Sequence, residues 1–282
     1  QMASLSDLVG LDKQAGQLMH DLQRERGMTT VFLNGDAKAI GDDLRQQRQA
    51  SDQSLAAVRN AAQALAGDAT LAPALTVVTG ALASAREMGA RRDMIDSRRI
   101  TVADMTAFYS TVIEELLRVP HEAVRMSGDI AATERLIAYQ AYLSMKEQAG
   151  RERATLGGAF AAGVLSPVQY RAALTIQGNQ KALSRQFDEY ATDANRAVAA
   201  RAMTGPEVEQ ADRMRQAAIE AGPGGALRGS AAEWMKAATA VIDRMRQVET
   251  TLADDVVSYA NAAFWDARRM HLVTAVLVGA GL

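Results

Sequence analysis

Residues 24–26 read Arg-Glu-Arg, and residues 151–153 read the same. Helical side chains three and four apart share a face. The row through the second arginine of the first copy is Ala15, Leu18, Leu22, Arg26, Thr29 and Leu33. Shifted by 127 residues it becomes Tyr142, Met145, Ala149, Arg153, Leu156 and Phe160. Both rows are mostly apolar, and both place one arginine at the same point. A guanidinium presents its N–H donors in a planar fork suited to planar oxyanions. Two such cations brought together in an apolar setting repel, and a bound anion relieves the cost. The chemistry on offer is capture of a small anion by Arg26 and Arg153. The competing reading sends each guanidinium to the bundle edge or to a nearby carboxylate. Arg24 and Arg151 lie about 200° from their partners around the helix and read as surface charge, with at most a secondary part in binding. Thr29 and Thr30 are also secondary candidates.

The elements that must position these residues are helices. Ala, Leu, Met, Gln, Glu and Arg abound, Pro occurs five times, and only 5% of residues are aromatic; such residues lose little side-chain freedom in a helix. Gly, Ser, Thr, Asp and Pro punctuate the chain as helix stops and starts. They leave helical segments near 5–33, 36–66, 72–89, 102–126, 129–162, 167–197, 206–220 and 231–272. Sliding the sequence on itself by 127 to 129 residues matches Thr111-Val112-Ile113-Glu114 with Ala240-Val241-Ile242-Asp243. It also matches Thr101-x-x-Asp104 with Ser230-x-x-Glu233, both resembling capping boxes. The expected fold is all-α: two tandem, sequence-related four-helix bundles, 1–127 and 128–270, with long first and last helices. Trp234 and Trp265 read as core anchors. Gly157-Gly158 interrupts the second Arg-Glu-Arg helix and reads as a close helix contact, or as room for a ligand.

Several functions are disfavoured. With 31 basic and 33 acidic residues the chain lacks the basic excess of a general nucleic-acid binder. It has no cysteine, and His20, His121 and His271 are scattered, so no metal site is expected. Adjacent acids such as Asp42-Asp43, Glu114-Glu115 and Asp254-Asp255 project to different sides of a helix. No nucleophile or cofactor loop appears, and neither catalysis nor a cofactor is expected. The segment HLVTAVLVGAGL (271–282) is shorter than the about 20 apolar residues of a bilayer span. It reads as the beginning of a membrane helix, with a buried helix end as the alternative.

LQRERGMTTVFLNG (22–35) resembles the opening signature of NIT domains, the nitrate- and nitrite-sensing domains of bacterial receptors. RRDMIDSRRITVADMTAFYSTVIEELL (91–117), KEQAGRERATLGGAFAAG (146–163) and EWMKAATAVIDRMRQVE (233–249) extend the similarity in the family's order. The resemblance implies an all-helical sensor for nitrate or nitrite, with the family's arginines at Arg26 and Arg153. Ala154 departs from the pattern where the first copy has Gly27. Arginine pairs also bind carboxylates, sulfate and phosphate, so nitrate comes from the resemblance alone. The expectation is a ligand-binding sensor domain of a bacterial signal-transduction receptor, passing a helix rearrangement to an output module. A dimerisation or protein-interaction bundle without an anion is the alternative. The expected partners are nitrate or nitrite and a second copy of the chain, with no nucleic acid. Membrane attachment through flanking helices, and a periplasmic or extracellular rather than cytoplasmic location, complete the picture.

Overall fold

The structure, a computed structural model, describes the backbone of residues 2–34 and 37–280. It describes their side chains except those of 2, 3, 5, 37–40, 264 and 266–280. The fold is all-α, and among the described residues there is no β-strand, only an isolated bridge between Val164 and Ala226. In chain order the helices are α1 (Met2–Asn34), α2 (Ala37–Ala64), α3 (Ala72–Ser84), α4 (Met88–Asp96), α5 (Val102–Leu116) and α6 (Val119–Met126). There follow α7 (Ile130–Ala162), α8 (Pro167–Tyr190), α9 (Asp193–Ala202), α10 (Pro206–Ala221) and α11 (Ala231–Ala280).

The two helices bearing Arg-Glu-Arg are the centre of the molecule. α1 packs on α2, α5, α6, α7 and α11, while α7 packs on α1, α6, α8 and α11. Both are therefore buried nearly all round, although neither is strongly apolar. Asp12, His20, Asp21, Gln23, Glu25, Arg26, Thr29 and Thr30 of α1 are all buried, as are Lys146, Glu147, Glu152 and Arg153 of α7. Burying so many polar groups is tolerated only when they satisfy one another or a ligand. The main apolar core is continuous across both halves of the sequence, running through Leu18, Tyr109, Leu136, Tyr142 and Ile242. A smaller cluster gathers Leu156, Phe160, Met214 and Trp234.

Three helix boundaries differ from those the local sequence signals predict. The segment expected at 72–89 passes through a 3-10 turn at Ala85–Glu87 and runs on as α4 to Asp96. Gly89 does not stop it, since glycine costs a helix only about 1 kcal/mol. The segment expected at 102–126 breaks before α6, where Pro120 occupies the first turn without an N–H to bond back. The segment expected at 167–197 breaks at Thr192, whose hydroxyl caps α9 by accepting from the Asn195 N–H at 3.2 Å. The capping expectations held. Thr101 Oγ1 accepts from the Asp104 N–H at 3.0 Å, and Ser230 and Glu233 cap each other reciprocally. Trp234 is fully buried and donates Nε1–H to the Arg153 carbonyl at 2.9 Å. Trp265, expected in the core, is 58% exposed, beyond Ala260, the last residue of α11 that is buried among the described side chains. Side chains of the apolar segment 271–282 lie outside the described residues. Among the described residues no helix is long and apolar enough to cross a membrane.

Candidate anion-binding site

Arg26 and Arg153 face each other's helix across the α1–α7 contact. A Cβ added to Gly150 of α7 would come within 2.8 Å of Arg26 Nη2, and one added to Gly27 of α1 within 2.9 Å of Arg153 Nη2. Each guanidinium thus rests on a glycine of the opposite helix. This explains the glycine of the first copy and the Ala154 of the second. The room that Arg26 needs in α7 is provided at Gly150, one turn earlier.

The two arginines have different company. Arg26 Nη1 and Nη2 donate to Glu147 Oε1 and Oε2 at 2.8 and 3.1 Å, and Nη1 also donates to Ser110 Oγ at 2.8 Å. Glu147 accepts two further bonds, from Gln23 Nε2 at 2.9 Å and Arg151 Nε at 2.8 Å. Burial raises the carboxyl's pKa, but Arg26 and Arg151 outweigh it and hold Glu147 below its ordinary range. Arg153 is as deeply buried, yet its partners are neutral. Nη1 donates to Thr239 Oγ1 at 3.0 Å, and Nη2 to the Gln23 carbonyl at 2.6 Å. Arg153 forms no ion pair among the described residues. Burial, then repulsion from Arg26 and Arg24, draws its pKa down to about 10. The Nε atoms of both arginines, Thr29 Oγ1 and Gln23 Oε1 are buried without a hydrogen-bond partner in the protein. The two Nε–H groups and the Thr29 hydroxyl are unmet donors, whereas Gln23 Oε1 is an unmet acceptor; unmet donors beside an uncompensated cation are the chemistry of an anion site.

The secondary candidates fall around this centre. Arg24 lies 3.7 Å from Asp243, and Arg151 pairs with Glu114 as well as Glu147. Neither is the plain surface charge read from helical geometry, for each is half-buried and ties its half of the sequence to an acid of the other. Thr30 Oγ1 is spent on the Arg26 carbonyl at 2.9 Å, whereas Thr29 remains unpaired. A cleft of about 830 Å³ opens beside the centre, walled by Met28, Thr30, Gly157, Met235, Thr239 and Asp243. Thr239 links the cleft wall to Arg153. Gly157 stands against Met235 Sδ, so it serves helix contact at the edge of the cleft.

Sequence reasoning overlooked the middle residue of each tripeptide. Glu25 accepts from Arg92 Nε and Nη2 at 2.7 and 2.9 Å and from the Tyr109 hydroxyl at 2.6 Å. Glu152 accepts from Arg215 Nε and Nη2 at 2.7 and 2.8 Å. The signal available was the recurrence itself, since all three residues repeat and not the arginines alone. His20 stands where a shift of 127 places Glu147. Burial, then Lys146, Arg246, Arg24 and Arg153, push its pKa down to about 2, leaving the imidazole neutral.

A family model for NIT, nitrate and nitrite sensing, matches residues 17–257. The chain belongs to the nitrate and nitrite sensing family. It is 26% identical over 264 residues to the nitrate regulatory protein of Klebsiella oxytoca, covering 93% of this chain and 65% of that protein. The chain therefore spans just under two thirds of that relative's length. Its fold is similar to the structure of the NasR transcription antiterminator, with a TM-score of 0.84 at 23% identity, covering 96% of this chain and 73% of that one. These findings overturn the expected extracytoplasmic sensor domain of a membrane receptor. The similar proteins are a regulatory protein and a transcription antiterminator, and no described helix suits a membrane span. The exclusion of nucleic acid and the membrane attachment fall with it. That exclusion rested on net charge over the whole chain, which says nothing of what a regulator's output acts upon.

Proposed function

We propose that this NIT-family chain is the nitrate- and nitrite-sensing part of a transcription regulator, without catalytic activity of its own. The anion sits between α1 and α7 against Arg153, with Arg26 and Thr29 beside it. The observation that carries this reading is Arg153, a buried guanidinium with neutral partners and a spare donor. The antiterminator's likeness supports transcription as the output, in the compartment of RNA polymerase. Residues 1–127 and 128–270 are read as two repeated four-helix modules. Their matched contacts, Arg26 with Ser110 and Arg153 with Thr239, support a pseudo-twofold relation between them.

Arg153 touches α1 through Gln23 and α11 through Thr239, so an anion there draws three helices together. Ligand shifts an equilibrium only by binding one arrangement better than another; here the favoured arrangement is the one that closes α1, α7 and α11 round the charge. α11 carries that preference onward to Ala280. Calorimetry of the whole chain with nitrate, nitrite, sulfate and acetate tests the site. Nitrate and nitrite bind the unaltered protein and fail to bind Arg153→Gln. Nitrate binding of unaltered strength by an Arg26→Gln, Arg153→Gln double variant overturns the assignment.

A further inference from the structure

We infer that Glu147 is the charge selector of this site, limiting it to anions of single charge, and that His20 keeps Arg153 free to take them. This inference rests on the anion reading above. The bonds around the centre divide into neutral sets. Glu114, Arg151, Glu147 and Arg26 form one connected chain of two acids and two bases. Arg24 and Asp243 form a second, half-exposed pair. Arg153 is left over as one unmatched positive charge, and it is buried. In a poorly solvated site an anion of charge −1 cancels that excess. One of charge −2 replaces it with a buried negative charge, which is as costly as the positive one it removed.

Glu147 is built to stay. Both its oxygens are occupied, by Arg26, Gln23 and Arg151, and its side chain is 1% exposed. It is therefore a fixed part of the charge balance and not a lid that an incoming anion pushes aside. The repeat shows what the alternative looks like. At the position of Glu147 the first half has His20, buried at 8% exposure, with Nε2 3.7 Å from Asp243 Oδ1 and one helical turn before Gln23, whose carbonyl accepts from Arg153 at 2.6 Å. A carboxylate there would give Arg153 the partner that Glu147 gives Arg26, and the centre would have no charge left to offer. The difference between one glutamate and one histidine thus converts a pair of buried arginines into a site for one negative charge.

The test is calorimetry of the whole chain with sodium nitrate and sodium sulfate, on the unaltered protein, E147Q and H20E. Ligand shape is common to all three, so comparing the nitrate-to-sulfate ratio between proteins isolates charge. Close buried charge pairs couple strongly enough that removing one negative charge shifts this ratio towards sulfate by about tenfold or more in E147Q. H20E, folded by circular dichroism, loses nitrate binding. An unchanged ratio in E147Q overturns the inference and leaves nitrate sensing intact. If E147Q does not fold, H20E decides, and nitrate binding of ordinary strength by folded H20E overturns the inference. Failure of the unaltered protein to bind either anion removes both this inference and the anion reading beneath it.

Discussion

Ser110 and Thr239 hold matching posts, each accepting a hydrogen bond from Nη1 of the buried arginine in its own half of the sequence, at 2.8 and 3.0 Å. The posts match but the consequences differ. Arg26 remains clamped by both oxygens of Glu147 if Ser110 is lost, whereas Arg153 keeps only the Gln23 carbonyl if Thr239 is lost. A hydrogen bond to a charged group contributes about 1.5–3 kcal/mol. Thr239→Val therefore weakens nitrate binding about tenfold, while Ser110→Ala changes it less than about twofold. Titration calorimetry distinguishes the two, and equal effects would show that the site does not centre on Arg153.

Gly27→Ala separates ligand binding from stability. Alanine gains about 1 kcal/mol over glycine in a helix, but its Cβ would stand 2.9 Å from Arg153 Nη2 and 3.1 Å from Cζ. The guanidinium has to leave its bonds with Gln23 or Thr239 to make room. The melting temperature stays within a few degrees of the parent, and nitrate affinity falls about tenfold or more. Gly150→Ala behaves oppositely. It presses on Arg26, which Glu147 holds, and so lowers the melting temperature. Thermal unfolding with and without nitrate reads both effects.

The sequence rows through Arg26 and Arg153 located the centre, because an arginine in an apolar helical row stands out against its neighbours. What stayed hidden lay in residues whose meaning depends on a distant partner. Glu25 and Glu152 look like solvated charge until Arg92 and Arg215 are seen to reach them. Those arginines are 123 residues apart while the glutamates are 127 apart, so a single shift does not align them. Glu147 was invisible as a partner for Arg26 because 121 residues separate them in the chain. The helix breaks at Thr192 and before Pro120 were missed for a simpler reason. Each joins two helices almost without a loop, so no stretch of polar residues announces it.

Those two hidden ion pairs carry a comparative prediction. Removing one partner of a buried pair costs about 3–5 kcal/mol when the other charge is left alone. Arg215→Ala strands Glu152, whose bonds from Arg215 have no substitute among the described residues. Arg92→Ala leaves Glu25 with the Tyr109 hydroxyl at 2.6 Å and Arg48 at 3.8 Å. Arg215→Ala is therefore the more destabilising, by about 1 kcal/mol or more in urea unfolding. A larger loss in Arg92→Ala would contradict the pairing.

A second buried polar cluster, on the same three central helices, sets a pH dependence. Asp12 of α1 is fully buried, and neither of its oxygens has a bond of normal geometry. Around it stand Tyr139 and Lys146 of α7 and Arg246 and Glu249 of α11, with Glu249 itself paired to Lys146 and Arg246. Burial raises Asp12 from 3.8 to about 7, with Glu249 adding to the rise and Tyr139, Arg246 and Lys146 opposing it. The folded chain therefore keeps a proton that the unfolded chain releases. The contribution of Asp12 to stability is full below pH 3.8, declines as pH rises through about 7, and is constant above that. Asp12→Asn removes the titration and keeps a neutral side chain of the same shape. It melts higher than the parent at pH 8, and the difference shrinks as the pH is lowered towards 4. A difference that does not change with pH would mean that Asp12 is ionised in the folded protein throughout, with its charge balanced by Lys146 and Arg246.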